Sequence, residues 1–235
     1  MKNLCFLLML ILITTGCSLE NCQKIYNIKY IPEAEIALDG NLEEPEWKKV
    51  NLEVDFSFPW EERSVPLTEF RAFIDDEYFY FSFNVQDNEV TYEEEFNDES
   101  VLDREDRVEF YFTQDETLKE YFCIEIDPLG RVHDYKASYY RKFDSSWDCP
   151  GIISAGLVKE NGYTVEGKIP LKTLDELGLP TLNSEEPLIT GVFRAEFKYR
   201  KDSKIEEHWI SWVEPETREP DFHVLSAFGC FQILK

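Results

Sequence analysis

Apolar and polar residues alternate along most of this chain, which is the pattern of β-strands that bury one face. Turn residues separate the alternating segments, and Asn161-Gly162 is the sharpest hairpin signal among them. The predicted strands are residues 68–74, 79–85, 107–112, 120–126, 132–139, 152–160, 163–170, 188–200, 208–212 and 230–234. Short helices are predicted near residues 44–50 and 171–177. The pattern therefore predicts an all-β fold, an antiparallel β-sandwich of jelly-roll type with one or two short helices.

The N-terminus has the features of a bacterial export signal. Lys2 precedes an almost unbroken apolar run over residues 4–13, which is the length of a signal-peptide core and short for a membrane span. Thr14-Thr15-Gly16-Cys17 then resembles the lipobox of lipoproteins, although Thr14 stands where Leu is usual. We predict that residues 1–16 are removed and that Cys17 carries the lipid; cleavage of a plain secretory signal nearby is the alternative. The expected location is the cell envelope, anchored to a bacterial membrane on the periplasmic or surface side of the outer membrane.

The rest of the chain is predicted to form one domain with a large negative net charge. No linker, repeat or composition break follows Glu20, so residues 17–30 are assigned to a tether and first strand and residues 31–235 to the β-sandwich. The formal net charge of −24 repels phosphate backbones, which argues against a nucleic-acid partner. It also makes acidic polysaccharides poor ligands, unless calcium bridges the two. Contact with a membrane is expected through the lipid anchor only.

Four cysteines remain once Cys5 leaves with the signal and Cys17 is acylated: Cys22, Cys123, Cys149 and Cys230. An exported protein can form disulfides, and the wide spacing excludes a CxxC metal or redox motif. Three pairings are possible, one of which joins Cys123 to Cys149, and buried unpaired thiols are an equal alternative. The pairing stays open at this stage.

Seven short motifs occur in a fixed order between residues 36 and 234. They are LDG at 38–40 with EPEW at 44–47, AFIDDEYFYFSFNVQD at 72–87, DRVEF at 106–110, EIDPLG at 125–130, GYTVE at 162–166, IP at 169–170, and a closing series that contains Arg194, Tyr199-Arg200, Ser211-Trp212, Pro215, Phe222-His223 and Phe228-Gly229. In this order they resemble the family 9 carbohydrate-binding modules, including their lipoprotein branch. Each motif alone is weak, and their order makes the resemblance specific.

The resemblance implies a β-sandwich that grips the ends of sugar chains, often beside a glycoside hydrolase and with bound calcium. Founding members hold the sugar between two tryptophans. Those positions fall at or near Asp103 and near Phe222-His223 in this sequence, and Glu109 matches a polar contact of the family. Glu125 stands where those members carry Arg. The fold is therefore expected to carry over, whereas specificity for cellulose or xylan ends is not.

The residues themselves also suggest a sugar-binding face, because a pyranose needs planar hydrogen-bonding groups and flat aromatic rings. Trp60 and Trp147 lie in polar loop segments and are predicted to stack on the sugar, whereas Trp47 and Trp212 are predicted to be core residues. Alternation gives three strands a polar face, and we expect these faces to align; a solvated outer face is the alternative. The predicted carbohydrate-binding residues are Trp60, Trp147, Glu109, Glu125, Arg194, Arg200, Phe222 and His223.

Residues 87–106 contain ten carboxylates, and calcium prefers such oxygen ligands. The predicted calcium ligands are Asp87, Asp98 and Asp103, with a solvated acidic loop as the alternative. Haem is not expected, because Met1 and Met9 both lie in the predicted signal peptide and leave no methionine ligand.

The sequence contains no nucleophile elbow, phosphate loop or metal-ligand histidine spacing. Together with the resemblance, this favours non-catalytic binding of a glycan or oligosaccharide by an exported lipoprotein that supports polysaccharide catabolism. The alternative is a glycoside hydrolase, or an accessory subunit of one. The expected partners are a glycan and a glycoside hydrolase.

Overall fold

The computed structural model describes residues 19–200 and 205–234, so the predicted signal peptide and Cys17 lie outside the described residues. The described residues form twelve strands: β1 (Ile25–Tyr30), β2 (Thr68–Ile74), β3 (Tyr78–Gln86), β4 (Arg107–Thr113), β5 (Tyr121–Ile126), β6 (Val132–Ser138), β7 (Lys142–Asp144), β8 (Ile153–Lys159), β9 (Gly162–Pro170), β10 (Leu188–Tyr199), β11 (Ile205–Ser211) and β12 (Gly229–Leu234). In the same part of the chain, one α-helix, α1, spans Leu171–Glu176, and short 3-10 segments span Leu19–Asn21, Pro45–Lys48, Glu99–Arg104 and Leu225–Ala227. The all-β prediction is confirmed. Within the described residues, no helix is long and apolar enough to cross a membrane.

The strands form one continuous sheet in the order β7-β6-β5-β4-β10-β12-β1-β2-β3-β9-β8. β11 pairs with the C-terminal part of β10, from Phe193 to Tyr199. The prediction of purely antiparallel pairing is wrong at β1, which runs parallel to both β12 and β2. Tight turns join antiparallel neighbours, whereas parallel neighbours need a long connection. Residues 31–67 provide that connection between β1 and β2.

The sheet curls so that strands distant in its order meet through aromatic side chains. The rings of Phe81 on β3 and Phe110 on β4 have centroids 4.6 Å apart, and those of Phe79 and Phe112 are 6.0 Å apart. These rings belong to the main apolar core. The burial of the two tryptophans predicted to be core residues is confirmed, since Trp47 is 2% and Trp212 is 1% exposed.

The structure also decides the cysteine pairing that the sequence left open. Cys22 is bonded to Cys230, and the thiols of Cys123 and Cys149 are free and buried. The bond joins the segment before β1 to the start of β12, which is the strand that β1 pairs with. The N-terminal segment is therefore fixed covalently to the sheet.

Candidate functional site

A cleft of about 310 Å³ lies on the face of β4, β5 and β6 that is turned away from the main core. This volume is near the lower end of the range of roughly 300–1,000 Å³ that small-molecule sites occupy. The described residues that line it are Asp103, Arg107, Tyr111, Glu125, His133, Tyr135, Arg141, Phe143, Ser145, Trp209, Pro220, Asp221, Phe222 and His223.

The floor of the cleft contains a buried ionic cluster. Nε of Arg107 lies 2.8 Å from Oε1 of Glu109 and 2.7 Å from Oε2 of Glu125. The register of β4 and β5 pairs Glu109 directly with Glu125, which places both carboxylates on one side of the sheet. Nη1 of Arg107 donates to the carbonyl oxygen of Leu102 at 2.9 Å. The guanidinium is therefore held rigidly between the two acids.

Two tyrosines extend this cluster across the floor. The hydroxyl of Tyr111 donates to Glu109 at 2.9 Å, and the hydroxyl of Tyr135 donates to Glu125 at 2.9 Å. The two hydroxyl oxygens are 3.3 Å apart. Planar acids and phenols thus form a continuous hydrogen-bonding surface, which is the kind of surface that orients a polar ligand.

Burial sets the protonation of the groups in and around the floor. Burial, helped by the charge of Glu125 and opposed by that of Arg107, raises the pKa of Glu109 to about 7. Burial also lowers the pKa of His223 to about 4, so that this imidazole is neutral at neutral pH. His223 Nδ1 lies 3.0 Å from the hydroxyl of Tyr121, which fixes the ring.

Aromatic rings stand at both edges of the floor. Phe143 on β7 and Trp209 on β11 lie at opposite sides of the strand series β7-β6-β5-β4-β10-β11. Between them, His223 stacks on Tyr111 with centroids 5.2 Å apart, and Phe222 stacks on Phe193 at 4.0 Å. The cleft therefore combines a polar floor with apolar walls.

Several of the predicted binding residues come together here. Phe222 and His223 line the cleft with Glu125, and Glu109 lies in its floor against Arg107. Whether they contact a ligand stays a prediction. The cleft residues that the sequence did not select include His133, Tyr135, Arg141, Phe143 and Trp209. Alternation along β6 was the available signal for His133 and Tyr135, because residues two apart on a strand lie on the same face. In the structure, His133 pairs with Glu125 and Tyr135 pairs with Cys123.

The prediction that Arg194 and Arg200 share the polar face with Glu109 is wrong. Arg194 pairs with Val108, and its neighbour Phe193 pairs with Glu109, so Arg194 points to the opposite side of the sheet. There it is fully buried, with Nη2 3.0 Å from Asp87 and 2.8 Å from Glu196. Arg200 is exposed and forms an ion pair with Glu206 instead of lining the cleft.

The two loop tryptophans also lie outside the cleft. Trp60 borders a shallow neighbouring depression, where its ring packs 5.8 Å from that of Phe222 and its Nε1 donates to the carbonyl oxygen of Thr217. Trp147 packs against Phe122 of the main core, with centroids 5.2 Å apart. Stacking of either ring on a ligand in this cleft is therefore not supported by its position.

The three predicted calcium ligands do not form one set. Asp87 forms an ion pair with Arg194. Asp98 accepts a hydrogen bond from the amide of Ser100 at the start of the 3-10 segment Glu99–Arg104. Asp103 lies in the cleft, 3.6 Å from His133. Among the described residues, two other groups bring ligand atoms within 4.8 Å of one another. They are Asp103, Glu125 and His133 in the cleft, and Glu99, Asp134 and Asp148 outside it.

Residues 38–235 match the family model described as "Carbohydrate family 9 binding domain-like". The chain belongs to this family. The match covers every strand from β2 to β12, and with them all the residues of the cleft. A comparison of this family 9-like chain with curated proteins gives no match.

Solved structures show the same fold. A Bacteroides uniformis protein proposed to bind carbohydrate superposes with a TM-score of 0.67 at 14% identity, covering 90% of this chain and 99% of that one. A family 9 carbohydrate-binding module of Caldicellulosiruptor kristjanssonii in complex with glucose gives 0.58 at 14% identity, covering 90% and 96% of the two chains. Its complex with cellotriose gives 0.58 at 15% identity, covering 89% and 93%.

Proposed function

We propose that this family 9-like protein binds a carbohydrate, the end of a glycan or an oligosaccharide, in the cleft and does not cleave it. The observation that carries the proposal is the floor of fixed acids and phenols between two aromatic edges. Sugar hydroxyls both donate and accept hydrogen bonds, which the carboxylates of Glu125 and Asp103 and the phenol of Tyr135 can satisfy. The C–H face of a pyranose packs against flat rings such as Trp209 and Phe143.

The charges of the cleft favour a neutral sugar over an acidic one. Arg107 already faces two carboxylates, and Nη1 of Arg141 lies 3.1 Å from Oδ1 of Asp221. Neither guanidinium is available to neutralise a uronate, and Asp103 adds a negative charge at the rim. A carboxylated sugar would therefore meet like charges in a partly desolvated site, which costs binding energy.

The proposal extends to the setting in which the sugar is bound. The lipobox-like Thr14-Thr15-Gly16-Cys17 supports an exported lipoprotein, and the family supports a role in polysaccharide catabolism, beside a glycoside hydrolase as partner. We expect Cys17→Ser to move the protein from the membrane fraction to the soluble fraction of its host cell. Retention of that variant in the membrane would contradict the anchor without bearing on the cleft.

The cleft is tested by titration calorimetry of the secreted form against neutral oligosaccharides and matched uronates. Trp209→Ala should remove about 1–3 kcal/mol of binding free energy, which is roughly a ten- to hundred-fold loss of affinity. Trp147→Ala is the matched control, because it removes the same side chain from outside the cleft. Melting temperatures establish that both variants fold.

Two outcomes would contradict the proposal. Normal binding by folded Trp209→Ala together with weak binding by Trp147→Ala would place the ligand elsewhere. Release of shorter sugars from the oligosaccharide, measured by chromatography of the same mixtures, would favour the glycoside hydrolase alternative.

A further inference from the structure

A shallow depression of about 400 Å³ lies beside the cleft, on the side of Trp209. It shares the side chains of Trp209 and Pro220 with the cleft, so the two concavities adjoin. Trp60 lines the depression as well, and the ring centroids of both tryptophans lie 5.8 Å from that of Phe222 in the cleft wall. Large aromatic rings left partly exposed around a concavity are typical of a ligand-binding surface.

The loop that carries Trp60 is held in place by polar contacts. Nε1 of Trp60 donates to the carbonyl oxygen of Thr217 at 3.2 Å. The carboxylate of the next residue, Glu61, lies 2.9 Å from Nδ1 of His208 on β11, which is the strand that also carries Trp209. Both rings therefore stand on one fixed frame, and a ring fixed in advance loses little freedom when a ligand packs on it.

At the opposite end of the cleft, the two walls are joined. The hydroxyl of Tyr140 donates to Asp221 at 2.6 Å, and Nη1 of Arg141 donates to the same carboxylate at 3.1 Å. The ring of Phe143 lies 5.0 Å from that of His223. These contacts connect the segment between β6 and β7 to residues 220–223. A sugar chain longer than the cleft therefore continues at the other edge, toward the depression.

The polar side chains of the depression suit sugar hydroxyls. His208 and Arg218 line it together with four glutamates, so the surface offers both donors and acceptors. The glutamates are Glu61, Glu206, Glu207 and Glu219. Their negative charge disfavours a sugar that carries a carboxylate or a sulfate. An uncharged, hydroxyl-rich chain fits the depression and the cleft alike.

We propose that the depression is a second sugar subsite, which holds the unit next to the one in the cleft. The terminal unit of an uncharged chain lies on the floor of the cleft, the chain passes Trp209, and the following unit packs on Trp60. This inference rests on the proposed carbohydrate binding and adds that the ligand contains more than one sugar unit. Contact with Trp60 removes apolar surface from water, which adds affinity that a monosaccharide does not gain.

The experiment compares a monosaccharide with the trisaccharide of the same sugar by titration calorimetry. The probes are glucose and cellotriose, xylose and xylotriose, and mannose and mannotriose. In a pair that binds, the trisaccharide should bind the wild type about tenfold more tightly than the monosaccharide, the gain expected from one stacked ring. Trp60→Ala should remove most of this difference and leave the affinity for the monosaccharide unchanged.

A second variant tests the depression without touching an aromatic ring. Glu207 is exposed and lines the depression, so Glu207→Ala is expected to fold whether or not Trp60→Ala does. It should weaken binding of the trisaccharide alone, by roughly two- to tenfold for a lost hydrogen bond. Trp147→Ala is the matched control, because it removes the same side chain as Trp60→Ala from outside both concavities. It should leave both affinities unchanged.

Equal affinity of the wild type for a monosaccharide and its trisaccharide would overturn the subsite and leave the proposed binding in the cleft intact. Equal losses for both sugars in folded Trp60→Ala would also overturn it, because Trp60 would then act only by supporting Phe222. A tighter-binding trisaccharide that is unaffected by Trp60→Ala and Glu207→Ala would place the next unit elsewhere. Absence of binding by every pair would overturn the proposed carbohydrate binding itself, and the subsite with it.

Discussion

Arg107 is the residue on which the floor of the cleft depends. Arg107 is 6% exposed, and its guanidinium faces Glu109 and Glu125, which are 1% and 3% exposed. A buried ion pair gains little over well-packed apolar residues, but removing one partner leaves an uncompensated charge. Here the removal of Arg107 would leave two adjacent buried carboxylates.

We therefore expect Arg107→Met to lower the free energy of unfolding by about 3–5 kcal/mol, as for other broken buried pairs. Arg200→Met is the control, because Arg200 forms its ion pair with Glu206 at the surface, where such pairs contribute at most about 1 kcal/mol. Urea unfolding at neutral pH compares the two variants. A similar loss of unfolding free energy in both variants would contradict the role of Arg107 in neutralising the buried carboxylates.

At this scale the sequence indicates which residues are polar and leaves open which side of a strand faces the cleft. Glu109, Glu125, Phe222 and His223 were selected from motif position and alternation, and the structure brings them together. Arg194 was selected in the same way and lies on the other side of the sheet. A shift of one residue in register reverses the side on which every side chain of a strand lies, and alternation within one strand does not contain that register.

Among the elements, the ten strands predicted from alternation are all present. β7 was not predicted because its three side chains are exposed and give no alternating pattern, yet it carries Phe143 to the edge of the cleft. β1 was expected only within residues 17–30, and its parallel pairing with β12 depends on contacts more than 200 residues apart in sequence. Local periodicity carries no information about such partners.

The disulfide that fixes β1 leads to a prediction about this element. Replacing both Cys22 and Cys230 by serine should lower the free energy of unfolding by about 2–5 kcal/mol, because the bond restricts the unfolded chain. The variant Cys123→Ser/Cys149→Ser is the control for the loss of two sulfur atoms, and it should not respond to reductant differently from the wild type. Denaturant unfolding with and without dithiothreitol measures both. A wild type insensitive to reductant would contradict the Cys22–Cys230 bond.

For the whole molecule, the negative net charge and the buried carboxylates both make the native state more stable at lower pH. The formal charge is −24, and burial raises the pKa of Asp106 to about 8 and that of Glu109 to about 7. Both values lie above those of the unfolded chain, so the native state binds more protons at intermediate pH. The stability from these two groups is present at low pH and is lost as pH rises through about 7 and 8.

The protein should consequently become more stable when the pH falls from 8.5 to 6.5. Proton uptake by Asp106 and Glu109 should contribute about 3 kcal/mol, or roughly 6–12 °C in melting temperature for a chain of this size. His223 opposes this change only weakly and only near pH 6.5, because its pKa is lowered from the unfolded value of 6.5 to about 4. Circular dichroism melts at constant ionic strength measure how the melting temperature changes with pH. A melting temperature that stays constant or rises from pH 6.5 to 8.5 would contradict the prediction. Asp106→Asn should make the melting temperature less dependent on pH.

The bond between Cys22 and Cys230 also makes the domain a covalent ring, with 208 residues of sequence separation enclosed between its ends. A protease that cuts one exposed loop inside this ring, such as residues 93–98, opens the ring without separating two pieces. The strands on either side of the cut stay attached through the sulfur atoms and can remain paired in the sheet. Singly cut protein should therefore migrate as one band in electrophoresis without reductant and as two after reduction. One such cut would then leave the folded domain in a single piece.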